Sequence, residues 1–198
     1  RIDASDVQVD LETSDVDLAL RYAMPAGATQ GGIRLFGEQL AVVASPWLLK
    51  SGKPLRTPAD VAQFTLIEAG DAHRTHYLEY LSWRRWFDTR DLTKLQPQRW
   101  LYFNYAHQIV QAALAGQGLA LARMPLIADA LAAGDLVEVL PGHRIDSPLA
   151  YWLMVGPRSA QRPEIKAFCA WLQVQAEATR QAIGDVPDPD LNDNLDGS

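Results

Sequence analysis

Residues 111–122 read QAALAGQGLALA, and this stretch contains a helix, a glycine turn and a buried strand in direct succession. Its first part continues a predicted helix of about a dozen residues that begins near Tyr105. Gly116 and Gly118 end that helix, because glycine is the residue most enriched just after helix C-termini. The uniformly apolar LALA at 119–122 is typical of a strand covered on both faces. The stretch therefore predicts a layered α/β arrangement.

The same alternation of apolar strands and amphipathic helices continues on both sides. Ser45-Pro46 and Thr57-Pro58 each place a capping residue before a proline, which is the pattern of a helix start. Strands are predicted at residues 15–22, 40–44, 64–68, 100–103 and 149–155, and helices at 76–87, at 125–133 and from Pro163. This order predicts an α/β fold with mostly parallel strands.

The composition is that of a folded protein. Of the 198 residues, 48% are hydrophobic and 21% are charged, which is enough apolar material for a core. No apolar run approaches the roughly 20 residues that a membrane-spanning helix needs. The single cysteine, Cys169, and the lack of a leader-like start at Arg1 favour a cytoplasmic location and no membrane contact.

The negative charge is concentrated at one end of the chain. The net charge is −6, and five aspartates lie within the last 14 residues, which contain no lysine or arginine: Asp185, Asp188, Asp190, Asp193 and Asp196. Residues 185–198 are therefore expected to form a disordered acidic tail. The remainder is near neutral and shows no basic stripe, so this polypeptide is not expected to bind nucleic acid by itself.

Catalytic and metal-binding patterns are absent from the sequence. It contains no Gly-x-Ser-x-Gly elbow, no His-Glu-x-x-His and no P-loop. His73 and His76 with Glu79 would share one side of a helix and bind a metal, but a solvated loop and helix start is the favoured interpretation. Cys169 is interpreted as a small core residue. We therefore predict no catalytic residue, no metal, no cofactor and no enzymatic activity.

An aromatic segment allows two interpretations. Tyr80, Trp83 and Phe87 fall on one side of a helix beside Arg84 and Arg85. Aromatic rings among arginines can stack on nucleic-acid bases. A helix that covers a sheet with its aromatic stripe is the interpretation we favour.

Five segments together resemble the effector-binding domain of LysR-type transcriptional regulators. They are SPWLL at 45–49 with LRTPADV at 55–61, the stretch 111–122, LAAGDLVEVL at 131–140, DVDLALRY at 15–22, and the helix that starts at Arg162-Pro163. They occur in the order of that family. The run at 15–22 and the strand at 151–153 look most like the branch that contains glycine-cleavage and β-lactamase regulators.

This resemblance implies a two-lobed fold like that of type II periplasmic binding proteins. Lobe I would comprise residues 1–36 and 158–184, lobe II residues 37–157, and a small polar effector would lie in the cleft between them. It further implies a homodimer or tetramer through these regulatory lobes, and DNA binding by an N-terminal winged helix-turn-helix outside this sequence. The family's first strand and helix are also expected to be missing, since residues 1–5 resemble its second strand. Effector binding would act by shifting the population of domain arrangements.

The resemblance also assigns effector contacts to strand ends that face this cleft. The residues are Ser5, Asp6, Tyr22, Glu68, Asn104, Tyr105 and Tyr151. Two alternatives stay open, because Asp6 and Asn104 are also suited to capping the helices that would follow them.

Two other functions compete with a ligand sensor. A periplasmic-type solute-binding protein would have a similar fold, but an export leader is expected for it and the coding sequence upstream would decide. A small α/β transferase on a related scaffold would turn over a substrate. A sensor would bind its ligand reversibly without turnover.

Overall fold

The computed structural model describes residues 1–5, 7–27, 31–50, 54–70 and 78–185. Its strands are β1 (Leu18–Ala23), β2 (Ile33–Ala44), β3 (Thr65–Ala69), β4 (Arg99–Phe103), β5 (Leu119–Arg123), β6 (Val137–Glu138) and β7 (Ile145–Val155). Its α-helices are α1 (Pro46–Leu49), α2 (Trp83–Asp88), α3 (Ala106–Leu114), α4 (Met124–Ala133) and α5 (Pro163–Ile183). Short 3₁₀ helices span Pro25–Gly27, Pro58–Gln63 and Leu78–Leu81.

The chain divides into two compact units. Unit 1 consists of the described residues of Arg1–Gly37 and Pro148–Ser198, and unit 2 is Glu38–Ser147. The second boundary lies ten residues before the one expected at 157/158. The reason is that β7 is a single strand whose residues from Ala150 onward pair with β1 of unit 1. Gly156 therefore ends a strand and does not mark the change of unit.

Unit 2 contains a mixed sheet. Strand β3 pairs in parallel with β4 and β5, with Ile67 opposite Leu101 and Ala120. The second half of β2 runs antiparallel to β5 and β6, with Val42 opposite Leu121. The α/β class is thus confirmed, and the sheet is mixed rather than mostly parallel because β2 enters unit 2 against the direction of its neighbours.

The core of unit 2 forms where α2 packs on this sheet. Trp83, Trp86 and Phe87 are buried together with Leu66 of β3 and Leu119 of β5. This placement confirms that the aromatic segment covers the sheet. The helix is shorter than the predicted 76–87: Ser82 caps α2 by accepting the Arg85 N–H at 3.2 Å, and Tyr77 lies outside the described residues.

Unit 1 combines the β1–β7 pair with α5. The two strands are antiparallel, with Leu20 opposite Leu153, and small apolar clusters form on both faces of the pair. One cluster is built around Trp152 and Met154, and the other places Leu153 against Ala176 of α5. Unit 1 thus has its own core, separate from that of unit 2.

The predicted first strand at residues 1–5 is wrong. These residues have no strand conformation, and no helix follows at residues 7–17. Ile2 is 98% exposed and Val7 is also exposed, so neither side chain contributes burial that would hold an extended segment in place. Among the described residues, the edge strand β1 pairs with β7, and residues 1–5 pair with no strand.

The end of α5 is fixed to unit 1 by Asp185, the residue we expected to begin the acidic tail. Its carboxylate accepts two hydrogen bonds from the Arg34 guanidinium, both at 3.0 Å, and one from the Gly37 N–H at 2.8 Å. The tail interpretation therefore does not hold for Asp185, because these bonds order it. Residues 186–198 lie outside the described residues.

Asp185 is expected to make the fold less stable at acid pH. Burial raises the pKa of its carboxyl, but the hydrogen bonds from Arg34 and the Gly37 N–H outweigh burial and hold that pKa below its ordinary value. A carboxyl with a lowered pKa stabilises the fold above its unfolded-state pKa of about 3.9 and loses this contribution as the pH falls through the folded-state pKa. We expect Asp185→Asn to melt lower than the wild type at pH 6 and to converge with it as the pH falls below the lowered folded-state pKa of Asp185. Thermal melts between pH 2 and pH 7 test this, and curves that stay parallel at all pH values would contradict it.

Candidate functional site

The carboxyl ends of β3 and β4 lie at the same edge of the unit 2 sheet. The two parallel strands end level with each other, with Ala69 opposite Phe103. The Gly70 N–H donates to the Phe103 carbonyl at 2.7 Å and ties the two chain exits together. Helix α3 starts at Ala106, three residues after Phe103. Such an edge, where strands end and a helix begins, is where open α/β sheets bind ligands.

Gln108 holds the turn between β4 and α3. Its side-chain Oε1 accepts the backbone N–H groups of Asn104 and Tyr105, each at 3.2 Å. The N-cap residue is Tyr105, so the alternative that Asn104 caps the helix is wrong. The side-chain amide of Asn104 is exposed and makes no hydrogen bond to another residue that the structure describes. It is free to contact a ligand.

The first turn of α3 presents donors to solvent. The N–H groups of Ala106 and His107 have no acceptor within the described ranges, as is usual for the first residues of a helix. The exposed ring of Tyr105 stacks on the ring of His107, with centroids 5.6 Å apart and planes at 14°. Backbone donors at the positive end of a helix, beside an amide and a flat aromatic surface, suit a small anion attached to an apolar or aromatic body.

Glu68 is the next-to-last residue of β3, near this edge, but its carboxylate bonds to the start of α2. Its Oε1 accepts the N–H of Trp83, the first residue of α2, at 2.8 Å. The residue also lines a shallow groove of about 410 Å³ together with Arg84, Asp88 and Trp100. The structure therefore places the Glu68 carboxylate at the start of α2, where it satisfies a helix N–H.

Two further candidate residues meet in unit 1. Tyr22 of β1 and Tyr151 of β7 are opposite each other, and their ring centroids are 5.0 Å apart. The ring of Phe36 lies 4.6 Å from that of Tyr151. Phe36 could not be predicted from sequence as part of this group, because it is 115 residues away from Tyr151 in the chain. All three rings are half-buried, so part of each remains accessible.

The remaining candidates near the start of the chain do not join either group. Ser5 is exposed, and its Oγ accepts the Val7 N–H at 3.1 Å. Asp6 lies outside the described residues, as do His73 and His76. The seven candidate residues therefore form two pairs, Asn104 with Tyr105 and Tyr22 with Tyr151. Ser5 and Glu68 lie apart from both pairs, and Asp6 is outside the described residues.

The described ranges contain no group of three or more histidine, cysteine, aspartate or glutamate side chains placed to bind a metal ion. Within those ranges, every helix is too short or too polar to cross a bilayer. Cys169 packs beside Leu172 against the Leu153 cluster, and burial raises the pKa of its thiol, which makes it a weaker nucleophile than an ordinary cysteine.

Comparison with known proteins gives a consistent result. Residues 1–177 match the family model of the LysR substrate binding domain. The glycine cleavage system transcriptional activator of Escherichia coli strain K12 is 32% identical over 181 residues, covering 91% of this chain and 56% of that protein. The HTH-type transcriptional activator AmpR of Pseudomonas aeruginosa is 27% identical over 173 residues, which cover 87% of this chain and 54% of that protein. The chain thus spans about half the length of the curated relatives it matches.

A solved structure shares the fold. The effector domain of the transcriptional regulator AmpR of Pseudomonas aeruginosa superposes with a TM-score of 0.62 at 26% sequence identity. The superposition covers 89% of this chain and 79% of that chain. The relatives are transcriptional regulators and not solute-binding proteins.

Proposed function

Because the chain belongs to the LysR substrate-binding domain family, we propose that it binds a small polar effector on behalf of a longer transcriptional regulator. The match of residues 1–177 to the family is the observation that supports this most directly. Since the chain spans about half of its curated relatives, DNA binding would be the task of the rest of that regulator. A regulator that acts on bacterial DNA would work in the cytoplasm.

The effector's acidic group would bind at the start of α3. Asn104 would donate its side-chain amide, and the N–H groups of Ala106 and His107 would complete the contact with a carboxylate. The support is that Asn104 and His107 are exposed, and that the N–H groups of Ala106 and His107 have no acceptor in the described part of the chain. The exposed ring of Tyr105 would contact the body of the ligand.

Within unit 1, Tyr22 and Tyr151 form a second candidate contact surface, and Phe36 packs against the Tyr151 ring. Ser5, Asp6 and Glu68 remain weaker candidates. Ser5 and Glu68 have local hydrogen bonds, which a ligand would need to displace or share.

Binding would act by shifting populations and not by chemistry. A ligand that binds one domain arrangement more tightly than another raises the population of the first by the ratio of the two affinities. The regulator would pass this shift to DNA through a homodimer or tetramer. We infer that the effector leaves the domain unchanged, since the relatives are regulators and not enzymes.

A ligand-dependent melt tests the proposal. We expect one class among amino acids, aromatic carboxylic acids and cell-wall fragments to raise the melting temperature of this chain. At a hundred times the dissociation constant a ligand adds about 2.7 kcal/mol to the free energy of unfolding, a shift of about 5–10 °C at this size. The ligand recovered afterwards should be chemically unchanged, and turnover would favour the transferase alternative.

Asn104→Ala identifies the site. Loss of a hydrogen bond to a charged group should raise the dissociation constant about 10- to 100-fold without lowering the melting temperature of the free chain. Gln117→Ala removes an exposed amide from the turn after α3 and is the matched control. Equal affinity of the Asn104→Ala variant and the control would contradict the placement of the carboxylate at α3.

A further inference from the structure

The groove beside α2, here called the α2 groove, has an apolar floor. Its volume of about 410 Å³ lies within the range of roughly 300–1,000 Å³ that small-ligand sites have. The floor consists of Phe87, Leu95 and Trp100, which also pack with the core of unit 2. A concave apolar surface of this size suits a ligand with an apolar or aromatic body.

Two opposite charges line this groove from the same helix. Arg84 and Asp88 are four residues apart on α2, which places their side chains on one side of the helix. Both are exposed, and neither side chain has an ion pair or hydrogen bond with a residue that the structure describes, the other of the two included. A guanidinium binds a carboxylate, and a carboxylate binds an ammonium group. The two side chains therefore match a ligand that carries both charges.

The loop after α2 forms the other wall of the groove. Thr93 and Gln96 line it with exposed polar side chains. Backbone hydrogen bonds hold this loop at both ends: the Leu92 N–H donates to the Phe87 carbonyl at 3.0 Å, and the Gln98 N–H donates at 2.8 Å to a carbonyl of the 3₁₀ helix before β3. A wall that is already ordered spares a ligand the entropy loss of ordering it.

We propose that the α2 groove is a second small-molecule site, which binds a free amino acid with an apolar or aromatic side chain. The Arg84 guanidinium binds the α-carboxylate, and the Asp88 carboxylate binds the α-ammonium group. The side chain of the amino acid lies on the apolar floor, and the polar side chains of the loop supply hydrogen bonds at the rim. A free amino acid carries both charges close together, whereas a residue inside a polypeptide has neither.

This site is separate from the start of α3. Trp100 packs with the core cluster that α2 forms on the sheet, and the buried residues of α3 lie outside that cluster. The described residues that line the groove include Glu68, whose carboxylate accepts the Trp83 N–H, but none from the start of α3. The amino-acid site therefore does not rest on the proposed effector contacts, and either can fail alone.

Isothermal titration of the 198-residue chain with three related compounds tests the role of the two charges. L-Phenylalanine has both charged groups, hydrocinnamate lacks the ammonium group, and phenethylamine lacks the carboxylate. We expect L-phenylalanine to bind saturably. Each of the other two compounds should bind about tenfold more weakly, because it has lost one charge-assisted contact.

Variants of the two charged residues assign each contact. Arg84→Ala should weaken the binding of L-phenylalanine about tenfold and leave that of phenethylamine unchanged, because the carboxylate alone loses its partner. Asp88→Asn should weaken L-phenylalanine and leave hydrocinnamate unchanged. Lys94→Ala is the matched control, since Lys94 is an exposed cation beside Thr93 that does not line the groove. Circular dichroism melts check that each variant is folded.

Asn104→Ala distinguishes this site from the one at α3, and it should leave L-phenylalanine binding unchanged. Binding that is lost in Asn104→Ala and kept in Arg84→Ala would place the amino acid at α3 and overturn the proposal. L-Phenylalanine that does not bind at millimolar concentration, or that binds no better than hydrocinnamate or phenethylamine, would overturn it as well. If L-phenylalanine binds in the groove while no acidic effector binds at α3, the groove site stands and the proposed effector contacts are wrong.

Discussion

Trp83→Ala is expected to lower the free energy of unfolding by about 4 kcal/mol, since truncating a buried tryptophan leaves a cavity and removes its packing. Trp83 is fully buried, and its ring lies 5.3 Å from that of Trp86 in an edge-to-face arrangement. Its indole N–H donates to the Ile67 carbonyl of β3 at 3.0 Å, so the substitution also deprives a buried carbonyl of its donor. Urea unfolding followed by circular dichroism at 222 nm would measure the loss.

Two comparisons make this result interpretable. Trp83→Phe keeps most of the ring and loses the N–H, so about 1–2 kcal/mol should be lost. Trp47→Ala removes a tryptophan that is 70% exposed and should cost under about 1 kcal/mol. If Trp83→Ala costs no more than Trp47→Ala, the aromatic cluster is not the centre of the unit 2 core.

Arg123→Ala is expected to cost about 3–5 kcal/mol, because it leaves a buried carboxylate without its cation. The Arg123 Nε donates to Glu38 Oε1 at 2.5 Å, and the Glu38 side chain is fully inaccessible to solvent. These residues join the end of β5 to β2 at the point where unit 2 begins. The midpoint of thermal or urea unfolding is the measurement.

A variant that replaces both Glu38 and Arg123 separates the contribution of charge from the contribution of side-chain packing. Replacing both partners, as in Glu38→Leu with Arg123→Met, should recover most of the stability that Arg123→Ala loses, because no charge is then buried. Arg162→Ala is the control for an exposed ion pair: Arg162 and its partner Asp17 are 48% and 44% exposed, and at most about 1 kcal/mol should be lost. A double variant no more stable than Arg123→Ala would show that side-chain volume, and not charge, is what this position needs.

Much of the fold was predictable because local signals and packing agree. The glycine turn at residues 116–118 and the buried strand β5 occur as expected, and Gly134 ends α4 in the left-handed conformation that favours glycine. The family resemblance drawn from motif order is confirmed by the match over residues 1–177. Residues 1–5 were wrongly assigned to a strand, because an extended-looking sequence forms a strand when a neighbour pairs with it, and none does.

The site was less predictable, because its geometry depends on contacts that local sequence does not encode. Asn104 was suited both to binding a ligand, which we favoured, and to capping α3. The decision rests on Gln108, which accepts both N–H groups of the turn. The capping-box position of Gln108, three residues after Tyr105, is a signal that could have decided this. The meeting of Phe36 with Tyr151 joins residues too distant in the chain for any motif to reveal.

The two hydrogen bonds of Gln108 also have a consequence for binding kinetics. They hold the turn before α3 in its final shape in the absence of any ligand. A preformed turn spares the entropy loss of ordering a loop on association, and that loss commonly weakens binding by such loops. Gln108→Ala should therefore shorten the residence time of the effector and slow its association, even though the Gln108 side chain itself need not touch the ligand. The lifetime of the complex would thus be set in part by a side chain beneath the site.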